Sequence, residues 1–370
     1  MKTDIQIRVK ALASYPKEAA ATRFRVEQFV GPLRERGIEL ELSPFLSAEQ
    51  FAEMYKPGGS LKKAAGIARS FLRRLAEAAR VGKYDLLFVQ REAMFFGPEI
   101  FEWLFQIAGR VPMVLDLDDA TYVPYASPTY GRLGSALKFF GKTDRLIRRS
   151  AAVTCGNRFI AEYVSKLGTR AEVIPTVVDT GVFRPVEKDN NIPVVGWVGT
   201  HSTFPSLESL LPVLEKLAAK HEFVLRVVGS GRDAKEIPGV RSEVLKWSLE
   251  REVEDFCTLD VGLYPIVVSS SANEEWLKGK SGFKAIQYLA AGVPFVMSPV
   301  GICAEIGRPG ESHLNAESAE DWYNSLDKLL GDAGLRQKMG ESGRAHSLEN
   351  YTVEKQADRL AEVFRAARNG

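Results

Sequence analysis

Two lysines and a glutamine occupy the front of an apolar, alanine-rich segment that begins at Lys280 (KSGFKAIQYLAAGVPFVMSP). Lys280, Lys284 and Gln287 are spaced i, i+4 and i+7, which places them on one face of a helix that begins near Gly282. Two ammonium groups in the first turn of a helix are unfavourable unless an anion lies there as well. We therefore predict a phosphate site at the two lysines and the backbone of Gly282 and Phe283. Two solvated lysines on an exposed helix start are the alternative.

Two glycine-rich strand exits supply a second group of candidate nucleotide contacts. In VVGWVGTHST, Gly199, Thr200 and Ser202 follow a strand and precede a helix, so backbone N–H groups and hydroxyls would lie where anions are favoured. This stretch lacks a complete Gly-x-Gly-x-x-Gly fingerprint, and a capped strand-to-helix turn is the alternative. Trp247 lies downstream of the second exit (VVGSG), where it would line a base pocket or pack in the core.

Three aspartates, Asp116, Asp118 and Asp119, end an apolar strand in the sequence VPMVLDLDDAT. Carboxylates at the carboxyl end of a strand can orient a hydroxyl, accept its proton or bind a metal ion. No partner histidine or further acidic ligand is close in the sequence, so a metal site is disfavoured, and a helix N-cap is the alternative for Asp119. We predict that Asp118 and Asp119 face a cleft and contact the substrate.

Basic residues cluster in three segments of the first half of the chain. Arg23 and Arg25 follow the first strand, where they would suit an anionic substrate or form a solvated helix face. Segments 60–80 and 134–150 combine lysines and arginines with apolar residues at helical spacing, a pattern found in helices that lie on anionic lipid. Packing of these basic helices on their own domain is the alternative to peripheral membrane contact.

Strand-like runs alternate with amphipathic helical stretches in both halves of the chain, which is typical of a parallel sheet covered by helices. Strands are expected at 5–11, 85–90, 111–117, 151–154, 194–198, 223–228, 260–264 and 294–297. Helices are expected at 22–36, 207–220, 249–256 and 283–290. A proline-containing connection (VIPTVVDTGVFRPVEKDNNIP) separates the halves, so the prediction is an α/β chain of two Rossmann-like doubly wound domains that face a central cleft.

The composition is that of an ordinary globular protein of 370 residues, long enough for two cores. A net charge of +2 is too small for a dedicated nucleic-acid-binding protein. Three cysteines without C-x-x-C spacing suit a reducing compartment. The sequence shows no secretory signal and no run of about 18 apolar residues, so we expect a cytoplasmic protein with the inner membrane face as its candidate contact.

The longest motifs together resemble glycosyltransferase family 4, a group of retaining, nucleotide-sugar-dependent enzymes with the GT-B fold. The similarity covers most of the chain and is strongest from 173 to 364, in VIPTVVDTGVFRP, VGWVGTHS, DVGLYP and GFKAIQYLAAGVPFVMSPVGICAEI. The resemblance implies an N-terminal Rossmann-like acceptor domain (1–183) and a C-terminal Rossmann-like nucleotide-sugar domain (184–352). It also implies that a final helix (353–370) packs back on the N-terminal domain.

The family pattern contains two glutamates separated by seven residues, the first for the donor sugar and the second for the ribose. Alignment with this pattern places Gly279 and Gln287 at the two positions. Gln287 keeps hydrogen-bonding groups for a ribose hydroxyl. Gly279 has no side chain, so the resemblance implies that Glu274, Glu275 or a backbone group holds the sugar instead.

Two further family positions are substituted in this chain. A histidine and an aspartate at the end of the family's strand that matches PMVLDLDD correspond to Asp118 and Asp119, which would then bind sugar hydroxyls. An arginine after the first strand of the donor domain corresponds to Thr200. Lys280 and Lys284 would supply the positive charge that is missing there.

The resemblance predicts transfer of a sugar from a nucleotide diphosphate to an acceptor hydroxyl, with retention of anomeric configuration and without a metal or other cofactor. The product would belong to a cell-surface polysaccharide or glycolipid. The predicted catalytic residues are Asp118, Asp119 and Lys284. The predicted donor contacts are Gly199, Thr200, Ser202, Trp247, Lys280, Gly282, Phe283 and Gln287. A nucleotide-sugar epimerase or hydrolase, and a catalytically silent sugar-nucleotide-binding partner, are the alternatives.

Overall fold

A computed structural model of the chain describes residues 6–54, 56, 58–124, 137–231, 237–267 and 274–370. The chain divides into two units, each with its own sheet. Unit 1 consists of 1–176, 279–281 and 353–370, and unit 2 consists of 177–278 and 282–352. The first division therefore lies between residues 176 and 177, whereas the domain boundary expected from the sequence lies between residues 183 and 184.

The sheet of unit 1 has six parallel strands in the order β2-β1-β3-β4-β5-β6. The strands are β1 (Ile7–Ala13), β2 (Ile38–Pro44), β3 (Leu86–Gln90), β4 (Met113–Leu117), β5 (Ala152–Cys155) and β6 (Ala171–Val173). Strands β3, β4 and β5 are buried along their whole length, as expected for a sheet covered on both faces. The strand order reverses between β1 and β3, which is where doubly wound sheets bind ligands.

Helices cover both faces of this sheet. They are α1 (Ala20–Arg25), α2 (Val30–Glu35), α3 (Ala48–Met54), α4 (Ser60–Ala78), α5 (Ile100–Gly109), α6 (Lys142–Arg149), α7 (Arg158–Lys166) and the C-terminal α15 (Val353–Asn369). The predicted helix 22–36 is divided into α1, a 3₁₀ turn and α2. Helix α15 packs on β3 of unit 1, where the Phe364 and Phe88 rings lie 5.1 Å apart.

The sheet of unit 2 also has six parallel strands, in the order β12-β11-β10-β7-β8-β9. The strands are β7 (Val194–Val198), β8 (Val224–Val228), β9 (Ser242–Leu245), β10 (Val261–Tyr264), β11 (Phe295–Met297) and β12 (Leu314–Asn315). Counted from β7, this is the strand order of dinucleotide-binding Rossmann sheets, with the reversal between β7 and β10.

Helix α12 (Phe283–Ala291) is the most buried of the helices that cover this sheet. The others are α8 (Phe204–Glu208), α9 (Leu211–Ala218), α10 (Glu252–Cys257), α11 (Glu274–Lys278), α13 (Ala319–Gly331) and α14 (Ala333–Asn350). The Tyr288 hydroxyl donates to the carbonyls of Gly196 and Leu263, at 3.3 and 3.2 Å, and so joins α12 to β7 and β10. Among the described residues, no helix is both long enough and apolar enough to cross a membrane.

Candidate functional site

Arg91 lies at the centre of a charged cluster at the carboxyl ends of β3 and β4. It is the first residue after β3 and adopts a φ of 59°. Its Nε and Nη2 donate to the two carboxylate oxygens of Asp118 at 2.5 and 2.7 Å, and Nη2 also donates to Asp119 at 2.6 Å. A left-handed backbone at a non-glycine residue is strained and persists only where its surroundings fix it. One guanidinium therefore holds both of the predicted aspartates in place.

The two aspartates differ in their access to a substrate. The Asp118 side chain is 7% exposed and the Asp119 side chain 25%. Burial raises the pKa of Asp118, but Arg91 and Arg25 outweigh burial and hold that pKa below its ordinary value. Burial raises the pKa of Asp119. Arg91 lowers this pKa, but the neighbouring charge of Asp118 raises it again, so the pKa stays above its ordinary value. Asp119 is thus the more accessible of the two carboxyl groups, and Asp118 is the more firmly held.

Asp116 and Arg25 form a separate, buried ion pair. Arg25 Nε donates to Asp116 Oδ2 at 3.0 Å, Nη2 donates to Oδ1, and Nη1 donates to the Ile174 carbonyl at 2.6 Å. The Thr154 hydroxyl donates to Asp116 Oδ1 at 2.6 Å. Arg25 is 2% exposed, so it is neither a substrate contact nor part of a solvated helix face. Arg23 instead donates to two carbonyls of the loop before α1.

Segment 279–281 belongs to unit 1 and lies beside the aspartates. The Asn157 side chain donates to the Lys280 carbonyl at 3.0 Å. A Cβ added at Gly279 would lie 2.2 Å from the Ala120 Cβ, so this backbone position has no room for a side chain. The ammonium group of Lys280 acts to lower the pKa of Asp119. Lys280 is therefore near the carboxylates of unit 1.

Helix α12 begins directly after Gly282, its N-cap, which has a φ of 62°. A Cβ added at Gly282 would lie 2.2 Å from the Ile306 side chain, so backbone conformation and close packing both require glycine. Lys284 is half-buried in the first turn. Lys280 lies outside the helix, so the prediction of one helix face shared by Lys280, Lys284 and Gln287 is wrong for Lys280.

Gln287 is 2% exposed, and its Nε2 has no hydrogen-bond partner among the described residues. An amide nitrogen that is buried without a partner costs free energy, which a ligand group or a water molecule recovers. Phe283, at the first helical position, is half-buried. The glutamine side chain therefore keeps an unused donor within the core of unit 2.

Three glycines bring backbone close to backbone at the ends of β7 and β8. A Cβ added at Gly229 (φ 78°) would lie 2.4 Å from the Gly199 carbonyl oxygen and 3.3 Å from the Trp247 Cβ. A Cβ added at Gly231 (φ 71°) would lie 2.7 Å from the His201 Cβ. Trp247 is 40% exposed, so it lies at the edge of this surface and does not belong to the core. The structure thus brings Gly199 and Trp247 together beside Gly229.

The turn after β7 offers donors other than those expected. The Gly199 N–H donates to the last carbonyl of β8 at 2.9 Å, and the Thr200 N–H donates to Thr203 Oγ1 at 3.0 Å. The Thr200 and Ser202 hydroxyl oxygens lie 2.9 Å apart. Within the part of the chain that the structure describes, the N–H groups of His201 and Ser202 have no acceptor. The exposed backbone donors therefore lie one to two residues after Thr200.

An aromatic wall stands at the carboxyl ends of β1 and β3, beside Arg91. The Tyr15 ring stacks on Phe95 with centroids 5.8 Å apart and tilts against Phe51 at 5.6 Å, and Phe95 contacts Phe96 at 5.0 Å. All four rings are half-buried. This wall lines the strand-order reversal of unit 1, where aromatic faces can pack against a sugar or a lipid chain.

Two buried cations bond to the loop that carries Arg91, Phe95 and Phe96. Lys142 Nζ lies 2.7 Å from a carboxylate oxygen of Glu92 and donates to the carbonyls of Met94 and Gly97 at 3.1 and 3.0 Å. Arg74 is 1% exposed and donates to the Ala93 carbonyl at 3.3 Å. Both residues lie in the basic segments 60–80 and 134–150, for which the sequence left membrane contact and packing on the domain as alternatives. Burial shows that they support the loop.

Comparison with known proteins identifies part of unit 2. Residues 192–332, which include all six strands of its sheet, match the family described as glycosyl transferases group 1. The D-inositol 3-phosphate glycosyltransferase of Segniliparus rotundus is 26% identical over 263 residues. That match covers 65% of this chain and 56% of the relative, little more than half of the relative's length.

Solved structures of similar fold cover nearly the whole chain. Sucrose-phosphate synthase from Thermosynechococcus elongatus has a TM-score of 0.67 at 14% identity, over 97% of this chain and 98% of its own. A glycosyltransferase from Rickettsia africae has a TM-score of 0.69 at 12% identity, over 98% of both chains. Anabaena Alr3699/HepE, solved in complex with UDP-glucose, has a TM-score of 0.66 at 12% identity, over 98% of this chain and 100% of its own. The chain therefore has the predicted two-domain GT-B fold, and residues 192–332 of unit 2 are similar to glycosyl transferases group 1.

Proposed function

We propose that the chain is a retaining glycosyltransferase of family 4 that moves a hexosyl group from a nucleotide diphosphate to an acceptor hydroxyl. Unit 2 binds the donor and unit 1 binds the acceptor. One observation carries the proposal: stretch 192–332, which matches glycosyl transferases group 1, also contains the glycine-lined strand ends and the start of α12. A protein of the same fold, Anabaena Alr3699/HepE, was solved with UDP-glucose, which supports a nucleotide-sugar donor.

The diphosphate of the donor is bound by the turn after β7 and by the first turn of α12. The N–H groups of His201 and Ser202 and the Ser202 hydroxyl supply exposed donors. The N-terminus of α12 adds the positive end of its helix dipole, and Lys284 adds a full charge in the same turn. Gly199 and Gly282 have no room for a side chain, because Trp197 and Ile306 pack against them, and they thereby set the backbone course of the two turns.

The nucleoside is bound by Trp247 and Gln287. The half-exposed ring of Trp247 offers a flat apolar face to the base. The unused amide donor of Gln287 bonds to a ribose hydroxyl, the role that the family gives to a glutamate at this position. This pairing would also account for a buried amide of unit 2 that lacks a partner among the described residues.

In the reaction, the bond from the anomeric carbon to the donor phosphate oxygen breaks and a bond to the acceptor oxygen forms on the same face of the sugar. The proton of the acceptor hydroxyl passes to the departing phosphate. Lys284 stabilises the charge that grows on that phosphate. Asp119 accepts a hydrogen bond from a sugar hydroxyl. Arg91, itself held by Asp118, fixes the position of the Asp119 side chain. The proton and the charge are both accounted for, so this scheme uses no metal or other cofactor.

The acceptor is a glycan or a lipid-linked saccharide of a cell-surface polysaccharide or glycolipid. The aromatic wall at Tyr15 and Phe95 supports this class, because its half-buried rings can pack on a sugar face or on a hydrocarbon chain. The site of action is the cytoplasm at the inner membrane face.

The test is turnover of a panel of nucleotide sugars by Lys284→Ala, with Lys338→Ala as the control because Lys338 is an exposed lysine of α14. Loss of a phosphate contact that strengthens in the transition state should lower kcat by about 100-fold. Circular dichroism should be unchanged in both variants. Wild-type turnover in Lys284→Ala would contradict the phosphate assignment.

A catalytically silent sugar-nucleotide-binding partner of a synthase is the second candidate. The observation that favours it is Gly279, where Ala120 leaves no room for a side chain to hold the donor sugar. Tight nucleotide binding in a thermal-shift titration, without sugar transfer to any acceptor extract, would support this candidate. Release of an altered or free sugar without an acceptor would instead indicate an epimerase or hydrolase.

A further inference from the structure

Helix α4 exposes one apolar stripe, although Ile67, Phe71 and Ala78 on another side of the helix pack in the core of unit 1. Leu61, Ala65, Ala68, Leu72 and Leu75 are spaced i, i+4, i+7, i+11 and i+14, so they form one stripe, and all five are exposed. Leu61 is 88% exposed and Leu72 is 66% exposed. A helix of a globular domain normally turns such a stripe to the core. The length of the stripe is about 21 Å at 1.5 Å per residue.

Polar side chains on the opposite side of α4 form hydrogen bonds within unit 1. Arg74 Nη1 donates to Ser43 Oγ at 2.7 Å and to Glu77 at 2.9 Å, and Nη2 donates to the carbonyls of Ala13 and Ser43. The Ser70 hydroxyl donates to a side chain of α3 at 3.1 Å. This polar network fixes the rotation of the helix about its axis. The outward direction of the leucines is therefore built into unit 1.

Cations line one edge of the stripe. Lys62, Arg69 and Arg73 are spaced i, i+7 and i+11 on α4, and Arg80 follows the end of the helix; all four are exposed. Within the described ranges, no carboxylate forms an ion pair with Lys62, Arg69 or Arg80. The only acidic residue between 60 and 80 is Glu77, which lies on the inner side with Arg74. Arg73 Nε lies 3.9 Å from a Glu77 carboxylate oxygen, so among the described residues the cations of this edge without an ion pair are Lys62, Arg69 and Arg80.

Helix α5 extends this surface. Ile100, Trp103 and Ile107 are spaced i, i+3 and i+7, and they are 41%, 46% and 57% exposed. The crossovers that contain α4 and α5 run in the same direction across the sheet, so both helices lie on the same face of unit 1. The Phe71 and Phe101 rings join them at a centroid distance of 4.8 Å.

We infer that the outer surface of α4 and α5 docks on an anionic membrane, with the leucines and Trp103 entering the interface and the cations meeting lipid phosphates. A bilayer supplies an apolar layer directly beneath a negative surface, which matches the stripe and its edge together. A second copy of the chain matches less well, because a two-fold contact would bring the same cationic edges face to face.

This inference deepens the proposed function and rests on it in one respect: a membrane-docked transferase is expected to act on a lipid-linked acceptor. The inner side of α4 bonds to the loop of Arg91 and Phe95 through Arg74, so the docking helix and the proposed acceptor wall belong to one rigid part of unit 1. Docking itself requires neither a donor nor an acceptor.

The experiment is sedimentation of the full chain with vesicles of equal parts phosphatidylglycerol and phosphatidylcholine, and with vesicles of phosphatidylcholine alone. Wild-type protein should bind the anionic vesicles and not the neutral ones, and added salt should weaken the binding. Leu61→Ser/Leu72→Ser should bind about tenfold more weakly or worse. Arg69→Glu/Arg80→Glu should lose the preference for phosphatidylglycerol.

The matched control is Leu249→Ser/Leu348→Ser, because both leucines are exposed in unit 2. This variant should bind like the wild type. The inference is overturned if wild-type protein stays in the supernatant, if the control loses as much binding, or if the α4 leucines prove to hold a dimer that does not bind vesicles. None of these results bears on transfer to a water-soluble acceptor, so failure of docking and failure of the proposed enzyme are separable.

Discussion

Arg91 binds two neighbouring aspartates unequally, and this difference separates their roles. Both oxygens of Asp118 accept from the guanidinium, whereas Asp119 accepts one hydrogen bond and is more exposed. The sequence names both aspartates as candidates but gives no sign of Arg91, whose only local signal is that it follows a buried strand. A residue that positions another side chain is recognised from their contact in the folded structure. Arg91 and Asp118 are 27 residues apart in the sequence, so no local pattern links them.

Asparagine substitutions should distinguish the two aspartates. Asp118→Asn removes the buried partner of Arg91 and should cost about 2 to 3 kcal/mol of the free energy of unfolding. Asp119→Asn removes a more exposed partner and should cost less than about 1 kcal/mol, while sugar transfer falls sharply. Urea unfolding and a transfer assay measure the two effects. Equal losses of stability in the two variants would contradict the assignment.

The buried side chain of His313 should make the stability of unit 2 depend on pH. The side chain is fully buried, its ring stacks on Phe295 at 4.9 Å, and burial lowers its pKa to about 4. The unfolded chain binds a proton at this histidine near pH 6.5, so between pH 6.5 and 4 the unfolded state holds more protons. Stability should therefore fall as the pH falls through this window, by up to about 3 kcal/mol.

The measurement is urea unfolding of the wild type and of His313→Phe at several pH values. Phenylalanine keeps the stacked ring and removes the titration, so its stability should change less with pH across the same window. His201→Asn alters an exposed histidine and should keep the wild-type slope. A His313→Phe slope equal to that of the wild type would assign the acid sensitivity to other groups.

At the scale of elements, the eight strands predicted from the sequence are all present, with ends shifted by up to two residues. The four strands that were not predicted are β2, β6, β9 and β12, and each is an edge strand of its sheet. Interior strands of a parallel sheet are buried on both faces and read as apolar runs. Edge strands form through pairing with a neighbour, so their own residues carry a weaker signal.

Arg73 and Arg74 are consecutive residues of α4 with identical chemistry and opposite surroundings. Arg74→Leu should cost about 3 kcal/mol or more, because it leaves the bonded carbonyls of Ala13, Ser43 and Ala93 without their donor. Arg73 also donates to two carbonyls, those of Pro44 and Phe45, but its side chain is 43% exposed and water can replace it there, so Arg73→Leu should cost only about 1 kcal/mol. Thermal unfolding compares them directly, and similar costs would show that the α4 network is dispensable.

At the scale of the whole molecule, the two units should respond differently to a nucleotide. Four of the five tryptophans, Trp197, Trp247, Trp276 and Trp322, belong to unit 2, and Trp103 belongs to unit 1. Tryptophan fluorescence of Trp103→Phe therefore reports unit 2 alone. A nucleoside diphosphate at about 100 times its Kd should stabilise the unit that binds it by about 2.7 kcal/mol.

The prediction is a rise in the fluorescence-detected Tm of Trp103→Phe with uridine or guanosine diphosphate, and a direct fluorescence change that is lost when Trp247 is also replaced by phenylalanine. Inorganic phosphate at the same concentration is the control. A shift with none of the nucleotides would place the donor site outside unit 2 or remove it altogether.

The sequence by itself determined the α/β class, the interior strands, the glycine-rich strand exits and the start of α12 within one or two residues. These features are set by local apolar runs and by turn residues, whose conformational preferences act within a few positions. Only the tertiary structure decided which charges are buried. Arg25 meets Asp116 across 91 residues, and Lys142 meets the loop after β3 across more than 40. A charged side chain leaves water only where partners from distant segments compensate its desolvation, and such partners are brought together by the fold.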